Sequence, residues 1–243
     1  MCGRFTHSRS LREYGVALGW IDKNDDTGTR NLLQVGNRWP FYNLAPGTCP
    51  DVMHRLPEGK RCIDTIRWGY RPAWAADRQM KDGKPYPVVI NARAETVSTK
   101  PYYAPLWEAG RRVLVPADGW YEWPTTEAGK VPHYITRKDR EPLFLAALTG
   151  FIPYTAGQDK HEAGFVILTQ DSLGGMVDVH DRRPVVFGPE QADQWADLDT
   201  PIDRADHLMR HESLPGDVFE WWPVSQLVNN PKNNDPSLIV RIE

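Results

Sequence analysis

The sequence has few cysteines, no long apolar run and no excess of basic charge. Nothing in it approaches the ~18 consecutive apolar residues that read as a membrane-spanning helix, so no membrane partner is expected. The opening MCGRFTHSRS lacks the apolar centre of a secretory signal. Its three cysteines, Cys2, Cys49 and Cys62, form an odd set without CxxC spacing. Such a set supports neither a disulfide framework nor a zinc ribbon, and it points to a reducing, cytoplasmic setting with no metal and no cofactor. A formal net charge of -3 denies the whole chain the basic footprint common among nucleic-acid binders. Internal repeats and linkers are missing too, so 1–243 is expected to form one domain and a monomer.

What is present is globular. Hydrophobic residues make up 40% and charged residues 25%, close to ordinary usage for a folded core. Short β-branched runs bounded by Pro, Gly or Asp predict strands at 62–69, 87–92, 112–117, 131–136, 143–149, 164–169, 184–187 and 238–242. Helical periodicity is confined to roughly 8–19, 101–109, 189–197 and 203–211. Strands and helices do not alternate regularly, which excludes a doubly wound parallel sheet. The expected class is α+β: a curved antiparallel or mixed sheet with peripheral short helices. Polar stretches at 21–38 and 75–86 read as surface insertions. Arg4, Arg67, Arg71, Arg93, Arg111, Arg112, Arg182 and Arg183 all lie beside the motifs below, so a local basic groove is compatible with the acidic total.

Cys2 directly follows the initiator Met. A small second residue permits Met removal, which would leave a free α-amine and a thiol on one residue. The amine titrates near ~8 and the thiol near ~8.5, so both are partly nucleophilic at neutral pH. Both can attack the same aldehyde carbon in turn, giving an imine and then a five-membered thiazolidine, and ring closure gains from proximity. The plain alternative is a small buried residue.

Three further motifs keep it company. NARAET (91–96) ends a strand-like run, placing Asn91 to hold a substrate oxygen or an amine and Arg93 to meet a phosphate; the alternative is a cap. In ADGWYEW (117–123), Glu122 lies between two aromatics, where desolvation raises a carboxyl pKa and suits it to general acid work. In DVHDRRP (178–184), His180 stands between Asp178 and Asp181 as a proton shuttle, with two arginines alongside. Glu122 can equally be a snorkelling surface carboxylate and His180 a structural loop histidine.

Taken together, the motifs resemble the SRAP family (SOS response-associated peptidase). The resemblance rests on MCGRF (1–5), YNLAPGT (42–48), WGYRPAW (68–74), INARAET (90–96), PLW (105–107), ADGWYEW (117–123), ILT (167–169), DVHDRRP (178–184), and WWPVS followed by VNNPKNN. They occur in the family's order across nearly the whole chain. The resemblance implies a barrel-like β core, a positively charged cleft, and a mature Cys2 that forms a thiazolidine with the ring-opened sugar of an abasic site in single-stranded DNA. It further implies that Asn91 holds the Cys2 end and the sugar. Glu122 would act as acid and base in opening the sugar and reversing the link, and His180 would assist through the sugar hydroxyl. Arg4, Arg93 and Arg182 match phosphate-contacting positions; Pro46, Trp74 and Thr169 match positions lining the DNA path. Two departures stand out: Ala75 where some relatives carry a second aromatic, and Lys100 displaced from a basic position nearer NARAET. The chain's end at Glu243 lacks eukaryotic-type partner motifs, so a bacterial or phage source is expected.

Two other classes of function remain open at this level. In a cysteine peptidase, Cys2, His180 and Glu122 would be nucleophile, base and orienter, with release of Met1 as the narrowest case. A non-catalytic single-strand DNA module would bind intact and abasic strands alike. Beta-elimination from the imine makes lyase activity a side expectation.

Overall fold

The fold is known from a computed structural model, which describes residues 2–24, 40–127, 129–151 and 163–243. In chain order its strands begin with β1 (Phe5–His7), β2 (Phe41–Leu44), β3 (Asp51–Arg55), β4 (Arg61–Thr65) and β5 (Asn91–Arg93). Next come β6 (Arg112–Ala117), β7 (Gly119–Glu122), the small hairpin β8 (Thr125–Thr126) and β9 (Gly129–Lys130), and β10 (His133–Arg137). The series ends with β11 (Leu143–Thr149), β12 (Phe165–Asp171), β13 (Arg182–Pro184), β14 (Val186–Phe187) and β15 (Phe219–Pro223). One sheet has the order β15-β10-β7-β1-β2. The larger runs β13-β12-β11-β6-β3-β4, with β14 added on β11 and β5 on β12. Every strand pairing is antiparallel except β5 with β12. The architecture is therefore mixed α+β and mainly antiparallel. Neither sheet closes on itself among the described residues, so strand pairing does not bear out the barrel-like closure implied by the resemblance.

The centre is set by β6 (RVLVPA) and β11 (LFLAALT), each buried along its full length. A strand covered on both faces is apolar throughout, and its period of two sends neighbours to opposite sides. Leu114, Phe144, Ala146 and Leu148 join one core with Trp195, Leu208 and Met209 of the helices Pro189–Ala196 and Ile202–His211. Val113, Val115, Leu145 and Ala147 join the other, with Phe5, Trp120 and Phe219 of the smaller sheet. Each Val, Leu, Phe or Met among them is worth about 1.5–3 kcal/mol of burial. The larger sheet is thus sandwiched between helices and the smaller sheet, and Cys2 belongs to the second core.

The short β1 is held by a buried carboxylate. Asp118 accepts from the Ser8 main-chain N–H and hydroxyl, each at 2.7 Å, and from the Tyr14 hydroxyl at 2.7 Å. Arg9 pairs with its other oxygen. Next to it, a Cβ on Gly119 would fall on the Ile135 carbonyl oxygen and the Tyr134 ring, which explains the glycine in ADGWYEW.

Several sequence expectations are corrected. The 238–242 run is no strand: Pro236–Ile239 forms a 3-10 turn, with Arg241 only bridging Val224. The 87–92 run shifts to Asn91–Arg93, because Val89 bridges Tyr70 instead of continuing a ladder. The helix expected at 8–19 spans Leu11–Ala17, started by a Ser10–Glu13 capping box. The 75–86 insertion is largely exposed, pinned by a Gln79–Pro85 bridge. Most of 21–38 lies outside the described residues. No described helix is long and apolar enough to cross a membrane.

Candidate active site

The two sheets bring the N-terminal segment and three distant motifs together. β1 pairs with β7 in the register Phe5↔Trp120, and the ladder continues outward as the Tyr121 N–H donates to the Arg4 carbonyl at 3.0 Å. Continuing it sets Gly3 opposite Glu122, so Cys2 emerges beside that carboxyl. From the other sheet, Asn91 at the start of β5 donates its amide Nδ2–H to the Cys2 carbonyl at 2.8 Å. The Asn91 Oδ1 is buried and accepts no hydrogen bond from the described residues. His180, in the loop between β12 and β13, brings Nε2 to 3.9 Å from Glu122 Oε2.

Burial sets the chemistry of these groups. Glu122 is 3% exposed. Loss of water pushes its carboxyl up to about 7, and the charge of Asp181 adds to the effect. It can therefore hold or release a proton near neutrality. His180 is half-buried, and desolvation holds it below the ordinary imidazole value against the pull of Asp181. Its Nδ1 accepts the Arg182 main-chain N–H at 2.9 Å, aiming Nε2 at Glu122. A protonated Nδ1 has an alternative partner in Asp181 Oδ1 at 2.6 Å. The Cys2 side chain is fully buried, and among the described residues its thiol is hydrogen-bonded, weakly, to the Arg4 carbonyl at 3.8 Å. Desolvation pushes that thiol far up, and nearby Glu122 adds to the rise.

The expected DNA contacts divide sharply. Thr169 is fully buried, its hydroxyl lying against the Ala92 carbonyl, so in this conformation it does not line a surface path. Arg182 is also interior. It pairs with Glu95 at 2.8 Å and Asp171 at 2.5 Å, and donates to the Thr169 carbonyl at 2.7 Å. With Nη1 and Nη2 so engaged, it binds β13, β12 and the NARAET segment together instead of presenting a free fork to a phosphate. Arg4 is partly buried, donating to Asn43 Oδ1 at 2.7 Å and the Val228 carbonyl at 2.8 Å. Asn43 in turn donates to the Asn230 and Asn233 carbonyls, which explains the VNNPKNN motif as a clasp on β2. Arg93 and Pro46 are exposed, and Trp74 is 39% exposed.

Two features escaped the sequence reading. Asp118 anchors β1, and only its place inside ADGWYEW hinted at a role. The other is an aromatic chain. Trp74 packs edge-on against Tyr86 (5.2 Å) and Tyr102 (5.8 Å); Tyr102 contacts Tyr103, whose hydroxyl donates to the Asn91 carbonyl at 3.3 Å. Tyr86, inside the 75–86 insertion, supplies a ring neighbour for Trp74, while Ala75 is fully buried. An exposed tryptophan is thereby linked through packed rings to the site. Among the described residues no group of three or more His, Cys, Asp or Glu is arranged to hold a metal.

Residues 1–231 match the model of the family described as SOS response associated peptidase (SRAP). The abasic site processing protein YedK of Escherichia coli is 36% identical over 239 residues, covering 98% of this chain and 99% of that protein. The abasic site processing protein YoqW of Bacillus subtilis is 32% identical over 243 residues, again covering 98% and 99%. A solved structure of a phage-related protein from Bordetella bronchiseptica superposes with a TM-score of 0.72 at 36% identity, over 93% of this chain and 95% of that one.

Proposed function

We propose that this chain, which belongs to the SRAP family, processes abasic sites in single-stranded DNA by capturing the ring-opened sugar on Cys2. Removal of Met1 would free the Cys2 α-amine. The amine attacks the sugar aldehyde and water leaves, giving an imine. The thiol then adds across the C=N bond, its proton passing to nitrogen, and a thiazolidine closes. The balance is aldehyde plus aminothiol to thiazolidine plus one water. Glu122, poised near neutrality, gives and takes the protons of sugar opening, water loss and reversal. His180, on the more open side, assists at the sugar hydroxyl. Asn91 holds the Cys2 main chain, and its unpaired Oδ1 is a ready acceptor for an amine or a sugar hydroxyl. If instead a proton is removed from the carbon next to the imine before the ring closes, a C=C bond forms as the β-phosphate leaves with its C–O electron pair, and the strand is cut. Arg93, Pro46 and Trp74 are the positions open to the strand, and stacking of a base on Trp74 would be worth roughly 1–3 kcal/mol without reading sequence.

The observation that carries this reading is the meeting of Cys2, Asn91, Glu122 and His180 from four separate segments. A peptidase would draw on the same Cys2, His180 and Glu122, and Cys2→Ser separates the two readings, since a hydroxyl can serve hydrolysis but cannot close a stable thiazolidine. The test is intact mass spectrometry with a denaturing gel, using Met1-free protein and an abasic oligonucleotide. A denaturant-resistant species at the summed mass less one water is expected, and Cys2→Ser should form no stable adduct. Absence of that species with the Met1-free wild type overturns the proposal.

A further inference from the structure

A cavity of about 570 Å³ is lined in part by Leu173, Gly174 and Gly175 of the β12–β13 loop, without His180, and plays no part in the aldehyde chemistry. Its wall includes Lys138, Gln170, Arg183, Arg210 and Trp221. Arg183, on β13, is 3% exposed, yet its Nε and Nη1 are buried and donate to nothing among the described residues. Its guanidinium sits 5.8 Å from the Phe219 ring centroid. The contrast with its neighbour is sharp, since Arg182 meets two carboxylates and a carbonyl. A buried, unpaired guanidinium is strongly disfavoured, and burial lowers its pKa only to about 10, so it stays charged at neutral pH.

The surroundings favour an anion. Asp171 and Asp217 also line the cavity, but Asp171 is paired with Arg182 at 2.5 Å. Lys138 Nζ donates to the Asp217 main-chain oxygen at 2.6 Å, and Arg210 is tied to Asp206 at 2.8 Å. Three cations thus face two carboxylates, and one of the three, Arg183, meets no carboxylate among the described residues. The cavity is of nucleotide scale rather than ion scale.

We propose that this cavity binds a phosphate group, free or as a monoester, seated on the Arg183 guanidinium with Lys138 at the rim. Planar, forked donors suit a tetrahedral oxyanion and are wasted on a neutral ligand. The site is independent of Cys2, so it stands or falls apart from the abasic-site reading.

The experiment is isothermal titration calorimetry of the full chain at constant ionic strength with inorganic phosphate, thymidine 5′-monophosphate and thymidine. Both phosphates should bind and thymidine should not. Tighter binding of the monophosphate identifies a nucleotide as the source, and equal binding identifies free phosphate. Arg183→Met should lower phosphate affinity at least tenfold, while its Tm in phosphate-free buffer should not fall below that of wild type. Arg183→Lys, which keeps the charge but loses the fork, should weaken binding several-fold and serves if the methionine variant does not fold. Wild type that binds neither phosphate, thymidine that binds as well as its monophosphate, or unchanged affinity in the Arg183 variants overturns the proposal.

Discussion

Glu122 concentrates the pH dependence expected of this protein. Its carboxyl rises from 4.5 to about 7 on burial. A raised acid pKa means that the folded state holds the proton more tightly than the unfolded state. The associated stability is complete below about 4.5 and is lost as pH rises through about 7, amounting to about 3 kcal/mol over that window. Glu122→Gln, neutral at every pH, should remove this loss. Denaturant unfolding of both forms at pH 4 and pH 8 measures it, and parallel pH dependences would refute the assignment. The same substitution should flatten the pH profile of abasic-site capture near 7. The sequence already foretold the raised carboxyl from the flanking aromatics. It did not foretell that Arg182, which it assigned to phosphate, is consumed by Glu95 and Asp171. Ion pairing between distant segments has no local signature.

At the scale of elements, the site depends on a strand of three residues. β1 is too short to hold its own register, and Asp118 supplies the anchorage through Ser8, Arg9 and Tyr14. Removing one partner of such a buried polar cluster costs about 3 kcal/mol. Asp118→Ala is therefore expected to lower Tm by several degrees and to slow adduct formation even where the protein remains folded, because Cys2 loses its alignment with Glu122. A variant with normal capture rates would show that β1 is positioned by other means. The long central strands were legible from their apolar runs, and the helices from periodicity and caps. β1 (FTH) and β15 (FEWWP) were not. Their pairing is decided by neighbours across the sheet, and they are too short or too irregular to show a period of two.

The whole molecule carries a net charge of -3, and two of its candidate phosphate-binding arginines are held by internal partners. Of the three candidate phosphate-binding arginines only Arg93 is exposed, so the salt dependence of initial DNA binding should be shallower than three phosphate contacts would give. Arg93→Ala should weaken binding across sequences and reduce the logarithmic salt slope by about one contact, without affecting adduct already formed. Fluorescence anisotropy at 50–300 mM salt, paired with denaturing gels, tests this; an unchanged slope would remove Arg93 from the interface.

Class and the candidate groups were determined by the sequence itself: a cysteine at the second position, a carboxyl between aromatics, an imidazole between aspartates, and the α+β composition of the core. These depend on residue type and local pattern, which the chain states directly. Tertiary structure alone decided which arginines are free, that Thr169 is interior, that Asp118 anchors the first strand, and that Arg183 is buried on the Phe219 ring with its Nε and Nη1 lacking a hydrogen-bond partner among the described residues. Each of those is a matter of what folds against what, and burial and charge pairing exist only once distant segments have met.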